Sequence, residues 1–369
     1  MAWGAMRFAD HEIAPGSLAE IRLAASEFYT SDPVLVPVTV LRGRRRGPTL
    51  FITAAVHGDE LNGVAVIRDL LIDQDFSELC GTLIAVPVVN VPGFLNQTRG
   101  LPDRRDLNRT FPGRPAGSLT ARLAHLIHRN IIKRADYGLD LHTAGGEHSN
   151  FPQVRADLSV PAVAELARAF GCPLVVDGKG PEGSLRRVAV EAGVPTIVYE
   201  AGSPRVFERP FIDVGVAGIL SVLRHLKMLP GEVHQPPVRI EIARSSWLRA
   251  PEGGMIDLRV GLGEPVRRGQ LLSVGTNPFG QERSQLTAPS AGIVLGLSRL
   301  PLVHPGDAVC HLARLPAATL TLWRQHWRGA IQTPSEILAS RPSQGVSKPV
   351  QRPPASTGIE VINNDKQRT

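Results

Sequence analysis

The chain has 369 residues, 43% of them hydrophobic and 20% charged, and its 41 Lys and Arg exceed its 34 Asp and Glu for a net charge of +7. That length buries a full core and predicts one large domain beside a smaller one, with the composition of an ordinary soluble globular protein rather than a disordered or membrane-spanning chain. Its three cysteines, Cys80, Cys172 and Cys310, lie far apart without C-x-x-C spacing, which argues against a disulfide framework or a cysteine metal site and for a reducing compartment.

Met1 to Arg7 lacks the uninterrupted apolar core of a signal peptide, and no later segment is long enough to span a bilayer, so the expectation is a cytoplasmic protein with no membrane partner. The arginines are scattered. Arg42-Gly43-Arg44-Arg45-Arg46 reads as a solvated loop before a strand rather than a nucleic-acid patch, so no nucleic acid is expected. Arginines inside a cleft would instead favour an anionic substrate.

From Pro33 to Leu229 short apolar runs alternate with amphipathic stretches, the pattern of an α/β domain with a largely buried sheet. The runs Val34 to Val40, Leu50 to Val56, Leu83 to Val89, Tyr137 to Leu141, Leu174 to Val176 and Thr196 to Tyr199 predict strands. Helices are predicted over Leu61 to Leu71, Leu119 to Ala135, Ala162 to Phe170, Leu185 to Ala192 and Val214 to Met228. Beyond Leu229-Pro230-Gly231 the texture changes, and from Ala250 to Leu315 short apolar pieces punctuated by Gly and Pro predict a small all-β unit. Thr333 to Thr369, rich in Ser, Pro, Gln and Lys, reads as disordered. The expected organisation is 1–235 for an N-terminal extension and the main domain, 236–330 for a small β domain closing with a helix, and 331–369 for the tail.

Three strand ends carry chemistry. His57-Gly58-Asp59-Glu60 follows the run ending at Val56, His142 follows Tyr137 to Leu141, and Glu200 follows Thr196 to Tyr199. Ligands bind at the carboxyl ends of strands in open α/β sheets. A His-x-x-Glu pair occurs by chance, and His304-Pro305-Gly306-Asp307, with similar spacing, reads as a turn. Jointly, however, His57, Glu60 and His142 supply the two histidines and one glutamate typical of catalytic zinc, one ion per chain, with a fourth position for water. Glu200 is then the candidate base that takes the proton of that water. Asp140, two residues before His142, would share its face and could orient it, and Asp59 could orient His57.

The ordered set His57-Gly58-Asp59-Glu60, Asn90-Val91-Pro92-Gly93, Thr98-Arg99, Asp106-Leu107-Asn108-Arg109-Thr110-Phe111-Pro112-Gly113, Asp140-Leu141-His142 and Tyr199-Glu200 resembles the succinylglutamate desuccinylase/aspartoacylase family of zinc amidohydrolases, over residues 33 to 315. The resemblance implies a zinc carboxypeptidase-like α/β fold, a mixed sheet flanked by helices, with a small C-terminal all-β domain like a barrel-sandwich. It implies that His57, Glu60 and His142 hold Zn2+, that Glu200 activates water, that Arg99 polarises the scissile carbonyl, alone or with Arg105, and that Asn108 and Arg109 bind a substrate carboxylate. A guanidinium fork beside an amide suits that last role on chemistry alone. The β unit also resembles biotinyl and lipoyl carriers, but no lysine occurs between Lys227 and Lys348, so it cannot be acylated as they are.

The expected function is hydrolysis of a linear amide, the removal of an acyl group from an N-acyl amino acid or a similar small anionic amide. The rivals are a carboxypeptidase on short peptides and a non-catalytic binding protein on the same scaffold. A homo-oligomer is allowed.

Overall fold

The computed structural model describes residues 3–27 and 30–327, so the expected tail lies outside the described residues. A hairpin of β1 (Met6–Phe8) and β2 (His11–Ile13) leads into β3 (Ser17–Glu27), β4 (Pro33–Arg42), β5 (Arg45–Ala54), α1 (Asn62–Asp73), β6 (Cys80–Val86), α2 (Val91–Asn96) and α3 (Leu119–Asn130). Then come β7 (Tyr137–His142), β8 (His148–Ala156), α4 (Pro161–Phe170), β9 (Leu174–Asp177), α5 (Leu185–Glu191), β10 (Thr196–Gly202) and α6 (Arg209–His225). The last part holds β11 (Ile240–Ile242), β12 (Ser245–Arg249), β13 (Gly254–Leu258), β14 (Pro265–Val266), β15 (Leu271–Thr276), β16 (Glu282–Thr287), β17 (Gly292–Ser298), β18 (Leu302–Val303), β19 (Ala308–Arg314) and α7 (Ala317–His326).

Every predicted strand and helix exists. At the centre of a 13-stranded mixed sheet, β6, β5, β7 and β10 run parallel, and the order across it is β12-β19-β17-β8-β10-β7-β5-β6-β4-β3. Burial on both faces explains the continuous apolar runs. Phe51 and Ile52, both 0% exposed, point to opposite sides. Ile52 joins the core under α1, α4 and α6 with Leu139, Ile197 and Tyr199, while Phe51 joins the core under α3 and α5 with Leu123, Ile127, Leu185 and Ala189. Burial of each such side chain stabilises the fold by about 1.5–3 kcal/mol.

Strands β3 and β8 were not predicted, and β8 borders the site. Strand β3 extends the sheet beyond β4, and β8 lies antiparallel beside β10. Between residues 250 and 315 the regular elements are all strands, and they fall into two sheets. Strands β12, β19 and β17 continue the main sheet through the pairing of β17 with β8, while β16, β15, β13 and β18 form a second sheet. His304 does form a turn, donating its N–H to Asp307 at 2.7 Å. The solvated-loop reading of the arginine cluster fails at Arg42, which is 8% exposed under the Trp3 ring at 3.9 Å, because a guanidinium stacks on an indole face. Among the described residues no helix is long and apolar enough to cross a membrane.

Candidate active site

Strand β5 ends in a sharp bend. Ala55 adopts φ 48, a left-handed conformation unfavourable for a residue with a Cβ, and its carbonyl accepts from the Asn90 N–H at 2.9 Å. The bend turns His57 back over the carboxyl end of the sheet, and Gly58 is the only residue type that fits next. A Cβ there would lie 2.0 Å from the Gly93 carbonyl carbon, a backbone atom that cannot move aside. Gly58→Ala is therefore expected to lower stability by about 3 kcal/mol and to weaken metal retention, checked by chemical denaturation and metal analysis of the same preparation.

Glu60 lies at the centre of the site, 1% exposed. Its Oε1 is 2.7 Å from His57 Nδ1, its Oε2 is 2.7 Å from His142 Nδ1, and the Thr143 N–H donates to Oε2 at 3.1 Å. The donor atoms of His57, Glu60 and His142 all lie within 4.8 Å of one another, so the three can converge on one cation. Burial pushes the Glu60 carboxyl up, but the two imidazoles outweigh it and hold it well below its ordinary value. Burial likewise opposes charge on His57 and His142, yet Glu60, with Asp106 for the first and Asp140 for the second, raises both.

Both Nε2 atoms face carboxylates. His142 Nε2 is 2.8 Å from Asp140 Oδ2, and Asp140 Oδ1 accepts from Thr53 at 2.7 Å. His57 Nε2 is 3.1 Å from Asp106 Oδ1. A carboxylate at Nε2 keeps the proton there in the neutral ring and leaves the Nδ1 lone pair for a metal, so the donor set fits a catalytic zinc. Asp140 thus occupies the position expected of it. Asp59 does not: its Oδ1 is buried without a partner, and burial together with Glu60 raises its carboxyl. The turn that brings Glu60 inward directs Asp59 elsewhere, and Asp106 orients His57 instead. The sequence signal for Asp106 was its place at the head of the Asp-Leu-Asn-Arg motif.

Arg99 reaches the site. Its Nε and Nη2 donate to Asp106 Oδ2 at 3.2 and 3.0 Å, and its Nη1 lies 3.3 Å from Glu60 Oε1, with 37% of the side chain open to solvent. Asn90 holds this arginine's backbone, since its Nδ2 donates to the Arg99 carbonyl at 3.2 Å while its Oδ1 caps α2. Arg105 is exposed and its side chain does not join the cluster. Asn108 and Arg109 follow Asp106 in one 3-10 turn; Asn108 Oδ1 accepts from Leu185 N–H at 2.8 Å, at the start of α5, and the Arg109 guanidinium is exposed.

Glu200 is the register partner of His142, so the two side chains share a face. Asn150 Nδ2 donates to its Oε1 at 2.8 Å and Arg155 pairs with its Oε2. These partners come from the unpredicted β8. A further residue was also missed: Arg186 on α5, 7% exposed, has an unpaired Nη1, and burial, with Arg155 and against Glu200 and Asp140, pushes it down to about 10. No local pattern marks it.

The chain is similar to several known proteins. Residues 46–226 match the succinylglutamate desuccinylase/aspartoacylase catalytic domain. An N-alpha-acetyl-L-2,4-diaminobutyric acid deacetylase of Halomonas elongata is 29% identical over 301 residues, 76% of this chain and 86% of the relative. The product-bound ectoine utilization protein EutE (DoeB) of Ruegeria pomeroyi superposes with a TM-score of 0.74 at 27% identity, covering 81% of this chain and 95% of that one. A succinylglutamate desuccinylase/aspartoacylase of Rhodobacter sphaeroides gives 0.72 at 28% identity, covering 81% and 94%.

Proposed function

The chain belongs to the succinylglutamate desuccinylase/aspartoacylase family, and from that premise we propose that it is a zinc-dependent deacylase of an N-acyl amino acid or a similar small anionic amide. The observation that carries this reading is the buried convergence of His57, Glu60 and His142 with Glu200 registered beside His142.

His57 and His142 through Nδ1, and Glu60 through its carboxylate, would hold the ion. When bound, zinc supplies the positive charge that acidifies a water and polarises the amide carbonyl. Glu200 takes the proton from the attacking water and hands it to the leaving nitrogen. Arg99 donates to the oxygen on which charge develops, and Asp106 aims that guanidinium while fixing the His57 ring. Asn108 and Arg109 grip the substrate carboxylate, Arg109 from solvent and Asn108 through its Nδ2, since its Oδ1 is committed to α5. The division into a hydrolase domain to residue 235 and a barrel-sandwich-like β unit over 236–330 belongs to the same reading.

A hydrolysis screen of the zinc-loaded protein against acetyl and succinyl amino acids and short peptides tests it. Release of free amino acid from the N-acyl compounds in preference to the peptides is expected. Release from the peptides alone would make it a carboxypeptidase, and inert, metal-free protein would make it a binding scaffold.

The Asp106 contact carries its own expectation. Asp106→Asn keeps the shape but weakens the hold on both His57 and Arg99, so zinc affinity should fall about 10- to 100-fold. Competition against a chelator measures this, and unchanged affinity would leave Asp106 without that role.

A further inference from the structure

On the far side of Glu200 from the metal-binding histidines lies a carboxamide with nothing to bind. Gln153 is the register partner of Glu200 across β8 and β10, just as His142 is across β7 and β10, so the three side chains form a row on one face of the sheet with Glu200 in the middle. Gln153 is 0% exposed, and neither its Nε2 nor its Oε1 has a hydrogen-bond partner. An enclosed amide loses a donor and an acceptor at once, a cost that native structures rarely leave uncompensated.

Beside it, Asn150 has been turned onto the same face. Glu200 to Gly202 is two steps on β10, while their partners Gln153 and Asn150 are three apart on β8, and this irregularity lets Asn150 Nδ2 bond Glu200. Asn150 Oδ1, like Gln153, is buried and unpartnered. Gln153 is hardly more enclosed than Glu60, which is 1% exposed, and the solvent-facing members around the row are Arg155 and Arg99, with side chains 30% and 37% exposed.

The direction of the row decides what Gln153 meets. The carbonyl that is attacked lies at the histidine end, and Glu200 must reach the nitrogen that leaves. What extends past Glu200 is the amine half of the substrate. We infer that Gln153, assisted by Asn150 Oδ1, is a specificity-determining residue that hydrogen-bonds the side chain of the released amino acid, selecting N-acyl amino acids with a polar side chain over apolar ones. This rests on the deacylase reading above. A carboxamide offers both a donor and an acceptor, so an ammonium, a carboxamide or a carboxylate on that side chain can each engage it.

The test compares kcat/KM of the zinc-loaded wild type, Gln153→Met and Gln153→Glu for N-acetylated 2,4-diaminobutyrate, asparagine, aspartate and the apolar norvaline. The best polar substrate should exceed N-acetylnorvaline by about 10- to 100-fold in the wild type, because a site built to hydrogen-bond is left unpaired by an apolar analogue. In Gln153→Met the ratio should fall to within about threefold, with turnover of N-acetylnorvaline retained. Gln153→Glu, which keeps shape and polarity, should shift the balance toward the ammonium-bearing substrate and away from the carboxylate by about tenfold, and it carries the test should the methionine variant fail to fold. Ratios equal to the wild type in the folded variants overturn the inference. Wild-type protein that hydrolyses no N-acetyl amino acid overturns the deacylase reading instead.

Discussion

Glu200→Gln lowers kcat by about three orders of magnitude while bound zinc stays at its wild-type level. On the proposed mechanism the loss is large because one carboxylate would serve two proton transfers, from water and then to the leaving nitrogen, and a carboxamide can do neither. Zinc should be retained because Glu200 lies outside the donor triangle of His57, Glu60 and His142. The carboxylate is held at both oxygens, by Asn150 and Arg155, and the glutamine keeps one carbonyl oxygen for that pair. KM should therefore move less than kcat. Steady-state kinetics together with metal analysis of the same sample check this, and turnover comparable with wild type would remove Glu200 as the base.

The second large effect comes from stripping the metal. A chelator should reduce turnover to below about 1% of the loaded enzyme, with recovery on adding zinc. The pH dependence of stability supplies a sharper test. Glu60 is held below its ordinary 4.5, so its contribution to the metal-free fold is present above that value and lost as pH falls through the depressed folded one. His57 and His142 are raised above 6.5, so their contribution is fully present below 6.5 and lost as pH rises through their folded values. The metal-free protein is thus best served by this cluster between those limits. Zinc, in contrast, needs both Nδ1 atoms deprotonated and competes with protons at low pH. The gap in Tm between zinc-loaded and stripped protein should widen from about pH 6 to about pH 9. A gap independent of pH would mean that zinc does not bind these two imidazoles.

How much of this was legible in the sequence depended on whether a residue's neighbours were apolar. Residues 50–56, 138–141 and 196–199, along the central strands β5, β7 and β10, are buried throughout, so their sequences are dominated by apolar residues, and the residues just past those stretches were easy to single out. Strand β8 is equally enclosed, but the face it shares with the site carries Asn150, Gln153 and Arg155, and Pro152 interrupts it. Polar residues that contact Glu200 and, on our reading, the substrate erased the hydrophobic pattern by which a buried strand is recognised. Asp59 and Asp106 show a second limit. Chain proximity favoured Asp59 as the partner of His57, but the tight turn before α1 separates them, and the carboxylate that meets the ring comes from 49 positions away. Arg186 had no local signal at all, since α5 looks like any short amphipathic helix until it is laid over the sheet.

The pairing of β17 with β8 through Gly296 and Asn150 has an evolutionary consequence. Had the C-terminal strands been a free-standing appendage, lineages could have lost or exchanged them and kept the hydrolase. Here a chain ending near residue 236 would leave the His148 to Asn150 end of the outer edge of β8, the part that β9 does not cover, with open N–H and C=O groups beside an uncovered Phe151, a template for pairing with other chains. The neighbour that seals this edge also backs the asparagine that grips Glu200, so a substitution in β17 is screened for solubility and for turnover at once. Drift in the C-terminal half should accordingly concentrate away from β17, in the second sheet, whose strands touch neither β8 nor β10 in the pairing order.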